Sequence, residues 1–241
     1  MSAENDGQNK VALITGGGSG IGLAMARTFV ASGYSIVISG RDAKRLQSAA
    51  EELSGPRIEV TSIACDVRDP ASVEKLFQEI SGRYSTIDVL INNAGVAHAL
   101  APVDQLSVET WKEVIDTNLT GTFLVTRAAL PLMRAGGTIV NNLSVAALQP
   151  FAGMSAYNAS KFGALGFTNA LREDLRQRGI RVVALLPGAT NTEIWRQFWP
   201  GAPREKMISA DTVAQAVLHA VSVPVESAIE EIRMGPAAGV L

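Results

Sequence analysis

The chain has 241 residues and a formal net charge of −2, which suits one large α/β domain and leaves no basic excess with which to neutralise nucleic-acid phosphates. Hydrophobic residues make up 47% of it and aromatics only 5%, so the core is aliphatic, as parallel strands buried on both faces require. No apolar run approaches the ~20 residues of a bilayer span, the polar opening Met1–Lys10 has no signal-peptide core, and the single Cys65 suits a reducing compartment, so a cytoplasmic protein without nucleic-acid or membrane partners is expected.

Residues 1–9 read as a disordered tail ahead of one domain over 10–241. Val11–Thr15 predicts a first strand, and the run Gly16-Gly17-Gly18-Ser19-Gly20-Ile21-Gly22 predicts a tight turn into a helix over Ile21–Ser32. Strands then follow at Ser35–Ser39, Ile58–Ile63 and Val89–Asn92, separated by helices over Ala43–Leu53 and Ala71–Arg83. A long helical pattern over Val108–Arg134 leads to a strand at Thr138–Leu143. A helix over Tyr157–Arg178, a strand at Arg181–Leu186, a helix over Asp211–Ser222 and a strand at Ala228–Met234 complete the order. The alternation argues an α/β fold: a doubly wound parallel sheet of about seven strands with helices on both faces. Right-handed crossovers place its ligand crevice beyond the carboxyl ends of the strands. The stretch Glu193–Met207, with Trp195, Phe198, Trp199, Pro200 and Pro203, interrupts the alternation and reads as a loop or short helix near that crevice.

Chemistry concentrates at those carboxyl ends. Glycines after the first strand let the backbone approach a ligand without a Cβ in the way, and the helix that follows offers free N–H groups to a pyrophosphate. The spacing is not G-x-G-x-x-G but Thr-Gly-x-x-x-Gly-x-Gly, on Thr15, Gly16, Gly20 and Gly22, with Gly18, Ser19 and Ile21 inside the turn. Tyr157 and Lys161 lie four apart, on one helix face, and Ser144 follows the fifth strand. Asn92-Asn93-Ala94-Gly95, Asn118 and Pro187-Gly188 also fall where such a fold faces its cleft.

Taken together, these motifs resemble the short-chain dehydrogenase/reductase family, in its order and over almost the whole chain, from Lys10 to about Met234. The resemblance implies a Rossmann-type oxidoreductase that moves a hydride between nicotinamide and a carbonyl or secondary alcohol. It implies Tyr157 as general acid/base, Lys161 as the group that lowers its pKa and holds the nicotinamide ribose, Ser144 as ligand of the substrate oxygen, and Asn118 as anchor of a water leading from Lys161. Asp66 and Val67 match an adenine-contacting pair; Asn92, Ala94 and Gly95 border the ribose; Pro187, Gly188, Thr190 and Thr192 border the nicotinamide, although Thr190 stands where the family usually has Val or Ile. Paired helices across two-fold axes imply a homodimer or homotetramer, and the helices Val108–Arg134 and Tyr157–Arg178 carry more apolar surface than one sheet face can cover.

The residue types also make chemical sense. Negative charge develops on oxygen as hydride reaches a carbonyl carbon, so a proton donor and a hydrogen bond are needed. A free phenol, with pKa about 10, exchanges that proton poorly near neutrality, and an ammonium about 5 Å away would contribute roughly 3 kcal/mol at an effective dielectric near 20. No metal is called for, since His98 and His219 lack ligand spacing. Gly40 and Arg41 end the second strand where an NAD-selective protein commonly carries a carboxylate. A guanidinium there binds a 2′-phosphate, so NADPH is preferred over NADH, with Asp42 occupied as a helix N-cap. Ala146, Ala147, Phe151, Met154, Gly188, Ala189, Trp195 and Trp199 are expected to wall an apolar substrate pocket. A ketone or 3-oxoacyl thioester is the expected substrate, and a catalytically silent NADP-binding scaffold the alternative. Cys65 reads as an unreactive thiol ending a strand, and His98 as loop surface.

Overall fold

The computed structural model describes residues 9–55, 58 and 60–239, so 1–8 of the expected tail lie outside the described residues. The strands are β1 (Val11–Thr15), β2 (Ser35–Gly40), β3 (Val60–Ala64), β4 (Val89–Asn92), β5 (Thr138–Asn142), β6 (Arg181–Pro187) and β7 (Glu231–Met234). All pair in parallel, in the order β3-β2-β1-β4-β5-β6-β7. Strand order reverses between β1 and β4, which opens the crevice of a doubly wound sheet at their carboxyl ends. This is the expected architecture.

The helices are α1 (Gly20–Ala31), α2 (Ala43–Leu53), α3 (Pro70–Ser81), α4 (Val108–Ile115), α5 (Gly121–Ala129), α6 (Ser155–Arg176), the single turn α7 (Trp195–Phe198) and α8 (Ala210–Ser222). One face of the sheet buries Met25, Phe29, Leu46, Val213 and Val217 from α1, α2 and α8. The other buries Leu76, Phe77, Val125, Leu171 and Leu175 from α3, α5 and α6. Inward residues recur three or four apart on each helix, while the strands are apolar on both sides, as a sheet covered twice demands. Side-chain caps fix the helix starts: Asp42 accepts from the Arg45 N–H (3.0 Å) as expected, and Asp69 accepts from the N–H groups of Ala71 and Ser72 with Pro70 at the first position. No helix among the described residues is long and apolar enough to cross a membrane.

Some elements differ from the sequence expectation. β3 runs from Val60, and β7 begins at Glu231 rather than Ala228, because a turn closed by the Ser227 N–H on the Pro224 carbonyl (2.9 Å) precedes it. The long helix expected over Val108–Arg134 is divided. Asp116–Thr120 forms one π-helical turn between α4 and α5, and Leu130–Leu132 a 3₁₀ turn containing Pro131. A π turn adds a residue to one turn of the helix, and proline removes an N–H the helix would need.

A chain of buried amides and hydroxyls crosses the layer between sheet and helices. Asn92 Nδ2 donates to Thr126 Oγ1 and to Asn141 Oδ1 (both 2.9 Å), and Asn141 Nδ2 donates to Thr168 Oγ1 (2.9 Å). These bonds tie β4 and β5 to α5 and α6.

Candidate active site

The turn after β1 is built for close approach. Gly16 has φ +65°, and a Cβ on Gly22 would stand 2.3 Å from the Gly16 carbonyl oxygen and 2.4 Å from Asn93 Nδ2, so only glycine closes it. Thr15 Oγ1 accepts from the N–H groups of Asn93 (2.9 Å) and Ala94 (3.0 Å), while Asn93 Nδ2 donates to the carbonyls of Thr15 (3.0 Å) and Gly16 (3.2 Å). Thr15, Gly22 and Asn92 therefore work inside the scaffold, and Gly18 lies under the Arg45 stem. Gly16, Ser19, Gly20 and Ile21 face a cleft of about 790 Å³, with Ala94 and Gly95 across from them. The Ser19 side chain makes no cap bond to the first turn of α1. That uncapped helix start and the glycine-cleared floor fit the pyrophosphate of a dinucleotide, and the cleft is of ordinary size for such a ligand.

Ser144, Tyr157 and Lys161 converge on the same cleft. Ser144 follows β5 by two residues and caps the turn Val145–Ala147, its Oγ accepting from the Ala146 N–H (3.1 Å). Tyr157 and Lys161 stand one turn apart on α6, with Nζ 5.6 Å from the phenol ring centre. Lys161 Nζ donates to the Asn142 carbonyl (3.0 Å). Burial lowers the Lys161 ammonium to about 8. Burial also pushes the Tyr157 phenol up, against the pull of its hydrogen bond with Ser144. The protein alone thus gives a phenol above its ordinary value, where the sequence predicted one lowered by Lys161. Desolvation moves each partner toward its neutral form.

Asn118 braces the loop after β4 against α6. Within the π turn its side chain is buried; Oδ1 accepts from the Val96 N–H (2.8 Å), and Nδ2 donates to the Val96 carbonyl (2.9 Å) and Ser160 Oγ (3.0 Å). Ser160 Oγ in turn donates to the Tyr157 carbonyl (2.7 Å). The amide thus holds the backbone beside Gly95 and, through Ser160, that of Tyr157.

Pro187, Gly188, Thr190 and Thr192 border the cleft after β6, and Thr192 packs against the position a Gly20 side chain would take. At the other end Arg41 is half-exposed and pairs with Glu113, while Arg68 grips both oxygens of Asp66 and holds its carboxyl below the usual range. Val67 is buried against Gly121. Neither Arg41, Asp66 nor Val67 lines the main cleft.

Ala146, Phe151, Met154 and Ala189 wall the remaining side with Trp195 and Trp199, whereas Ala147 turns into the core. The stretch Glu193–Met207 contains α7 and a short 3₁₀ turn at Arg204–Lys206. Trp195 Nε1 donates to the Thr190 carbonyl (2.9 Å), and the Ala97 N–H donates to Gln197 Oε1 (3.1 Å). The segment therefore reaches from the β6 side to the loop after β4.

Sequence reasoning missed Asn158. Its Nδ2 donates to the carbonyls of Ala146 (2.9 Å) and Gln149 (3.0 Å), and its Oδ1 accepts from the Phe151 N–H (3.1 Å). One side chain thereby shapes the loop carrying Ala146 and Phe151. Its place beside Tyr157 was the available signal. His98, expected at the surface, is buried with Nδ1 donating to the Ala99 carbonyl (2.8 Å), because its loop folds inward beneath the contact with Gln197.

Residues 10–202 match the family model described as short chain dehydrogenase. The chain is 35% identical over 237 residues to sulfoacetaldehyde reductase 2 of Chromohalobacter salexigens, covering 94% of each protein. It is 35% identical over 234 residues to serine 3-dehydrogenase of Agrobacterium fabrum, covering 93% of this chain and 92% of that protein. Among solved structures it is similar to an alcohol dehydrogenase from the archaeon Thermococcus sibiricus complexed with 5-hydroxy-NADP (TM-score 0.88, 28% identity, 96% and 98% of the two chains). It is also similar to a closed form of serine dehydrogenase complexed with NADP+ (TM-score 0.87, 31% identity, 96% of each chain). With residues 10–202 matching the family model and relatives 35% identical over nearly its whole length, the chain belongs to the short-chain dehydrogenase family of oxidoreductases.

Proposed function

We propose that the protein is an NADP(H)-dependent oxidoreductase interconverting a carbonyl and a secondary alcohol, in the manner of a ketone or 3-oxoacyl reductase. The observation that carries this reading is the convergence of Ser144, Tyr157 and Lys161 on a cleft floored by the glycine turn. When bound, the nicotinamide supplies or accepts the hydride. Ser144 donates a hydrogen bond to the substrate oxygen, and the Tyr157 phenol delivers the proton that quenches the developing alkoxide. Lys161 holds charge one turn away, and Asn118, through Ser160, keeps the backbone of Tyr157 in place. Gly16, Ser19, Gly20 and Ile21 would hold the pyrophosphate, Gly95 and Lys161 the ribose, and Gly188, Thr190 and Thr192 the nicotinamide. Arg41 would read the 2′-phosphate, and Asp66 and Val67 would border adenine.

Ala146, Phe151, Met154, Ala189, Trp195 and Trp199 make an apolar wall, so affinity follows the nonpolar substrate area buried, at about 25 cal/mol per Å². Bulky hydrophobic ketones are therefore the substrates this pocket favours. The exposed Trp111, Phe123 and Phe162 on α4, α5 and α6 form an apolar face suited to a second copy, in a homodimer or homotetramer working in the cytoplasm. Oxidation of NADPH by a ketone panel tests the activity, and Tyr157→Phe tests the mechanism. Turnover falls by at least ~10²–10³-fold with NADPH affinity nearly unchanged; wild-type turnover in the variant would refute Tyr157 as the acid.

A further inference from the structure

A line of alternating charges runs across the loops that follow β2 and β3. Arg41 follows β2, Asp66 and Arg68 follow β3, and Glu113 faces them from α4. Glu113 Oε1 lies 3.6 Å from Arg41 Nη1 and 3.9 Å from Arg68 Nη1. Arg68 is already committed, with Nη2 2.6 Å from Asp66 Oδ2, and Asp116 on the π turn adds to the negative field around it. Arg41 has no other ion-pair partner within 4 Å among the described residues; Asp66 also feels its charge, but that carboxylate is gripped by Arg68, so Glu113 is the carboxylate left to compete for the Arg41 guanidinium.

This arrangement bears on the choice between the two nicotinamide cofactors. They differ at one point, a phosphate dianion in place of a ribose hydroxyl. A carboxylate within 4 Å of the guanidinium that meets this point repels the dianion and occupies its partner, but leaves an uncharged hydroxyl nearly unaffected. Building on the reading of Arg41 as ligand of the 2′-phosphate, we propose that Glu113 is a cofactor-specificity-determining residue: its carboxylate competes with the phosphate for Arg41 and holds the preference for NADPH below what Arg41 alone would confer. Glu109, one turn earlier on α4, pairs with neither arginine, so the effect belongs to the position of Glu113 and not to the charge of the helix.

Direct calorimetric titration of NADPH and NADH into the wild type, Glu113→Gln, Glu109→Gln and Arg41→Ala tests this without reference to turnover. Exposed pairs of this kind are worth a few-fold in affinity, so Glu113→Gln tightens NADPH by about three- to fivefold at low salt. NADH stays within about twofold, and the gain shrinks at about 0.5 M salt, where such charges are screened. Glu109→Gln leaves both affinities unchanged. Equal changes for the two cofactors in Glu113→Gln, weaker NADPH binding, or the same gain from Glu109→Gln would each overturn the proposal. Arg41→Ala separates the two levels. If it loses NADPH selectively while Glu113→Gln is silent, only the role of Glu113 fails; if it loses both cofactors equally, the reading of Arg41 fails and takes the proposal with it.

Discussion

Lys161 offers a quantitative test of how the cleft is built. Burial brings its ammonium from 10.5 to about 8. The folded chain therefore binds fewer protons than the unfolded chain between those values, and stability must rise with pH across that window. Each pKa unit is worth 1.36 kcal/mol, so holding the ammonium in the cleft at pH 7 costs roughly 3 kcal/mol. About 2.5 kcal/mol of that cost is relieved between pH 7 and pH 10, as the folded-state amine loses its proton first. Comparison with Lys161→Met isolates this contribution, because groups common to both proteins cancel. Tyr157, pushed above its ordinary value, stays protonated over most of this range. The loss of the bond to the Asn142 carbonyl shifts the variant by a constant and does not alter the slope. Urea unfolding of both proteins at fixed concentration, in steps from pH 7 to pH 10, reads the difference. Wild type gains about 2.5 kcal/mol on the variant over that range; parallel profiles would show that Lys161 is not desolvated in the cleft.

Three further outcomes are expected. Asn158→Ala removes three hydrogen bonds to the loop carrying Ala146 and Phe151, costing roughly 2–4 kcal/mol of stability; steady-state kinetics will show KM rising by a larger factor than kcat falls. Gly22→Ala puts a Cβ 2.3 Å from the Gly16 oxygen and must open the turn, so cofactor titration will show at least about tenfold weaker binding, with NADH and NADPH affected alike. Phe162→Glu charges the exposed face of α6, and if a second copy docks there as proposed, sedimentation velocity will show a smaller assembly for the variant than for the wild type.

The features that sequence discloses are those carried by pattern. Buried parallel strands must be continuously apolar, as Leu13, Ile14, Ile36 and Val37 are, and their alternation with amphipathic helices yields the sheet. Asp42 was readable as a cap because its carboxylate serves its own helix. Features that depend on backbone partners carry no such pattern. The π turn at Asp116–Thr120 keeps the helical spacing of buried positions, from Val114 through Asn118 and Thr122 to Val125, so Val108–Arg134 looks like one helix. The partners of Asn158 are two carbonyls and an N–H, which any residue types could supply. The balance at Tyr157 was misjudged for a related reason: a spacing of four residues conveys the nearness of Lys161 but not how little water reaches either group.

The chain of amides from Asn92 through Asn141 to Thr168 has a consequence for how catalytic geometry is inherited. Slipping α6 along the sheet by even one residue would strand these groups in an apolar layer, at about 1–3 kcal/mol for each bond left unmade. The hydroxyl of Thr168 also donates to the Ala164 carbonyl (2.6 Å), one turn beyond Lys161 on the same rod. The angular setting of Tyr157 and Lys161 toward Ser144 is thus decided two to three turns away, in a stratum no substrate reaches. A shape-preserving change there, such as Thr168→Val, can blunt turnover while every residue of the cleft remains in place.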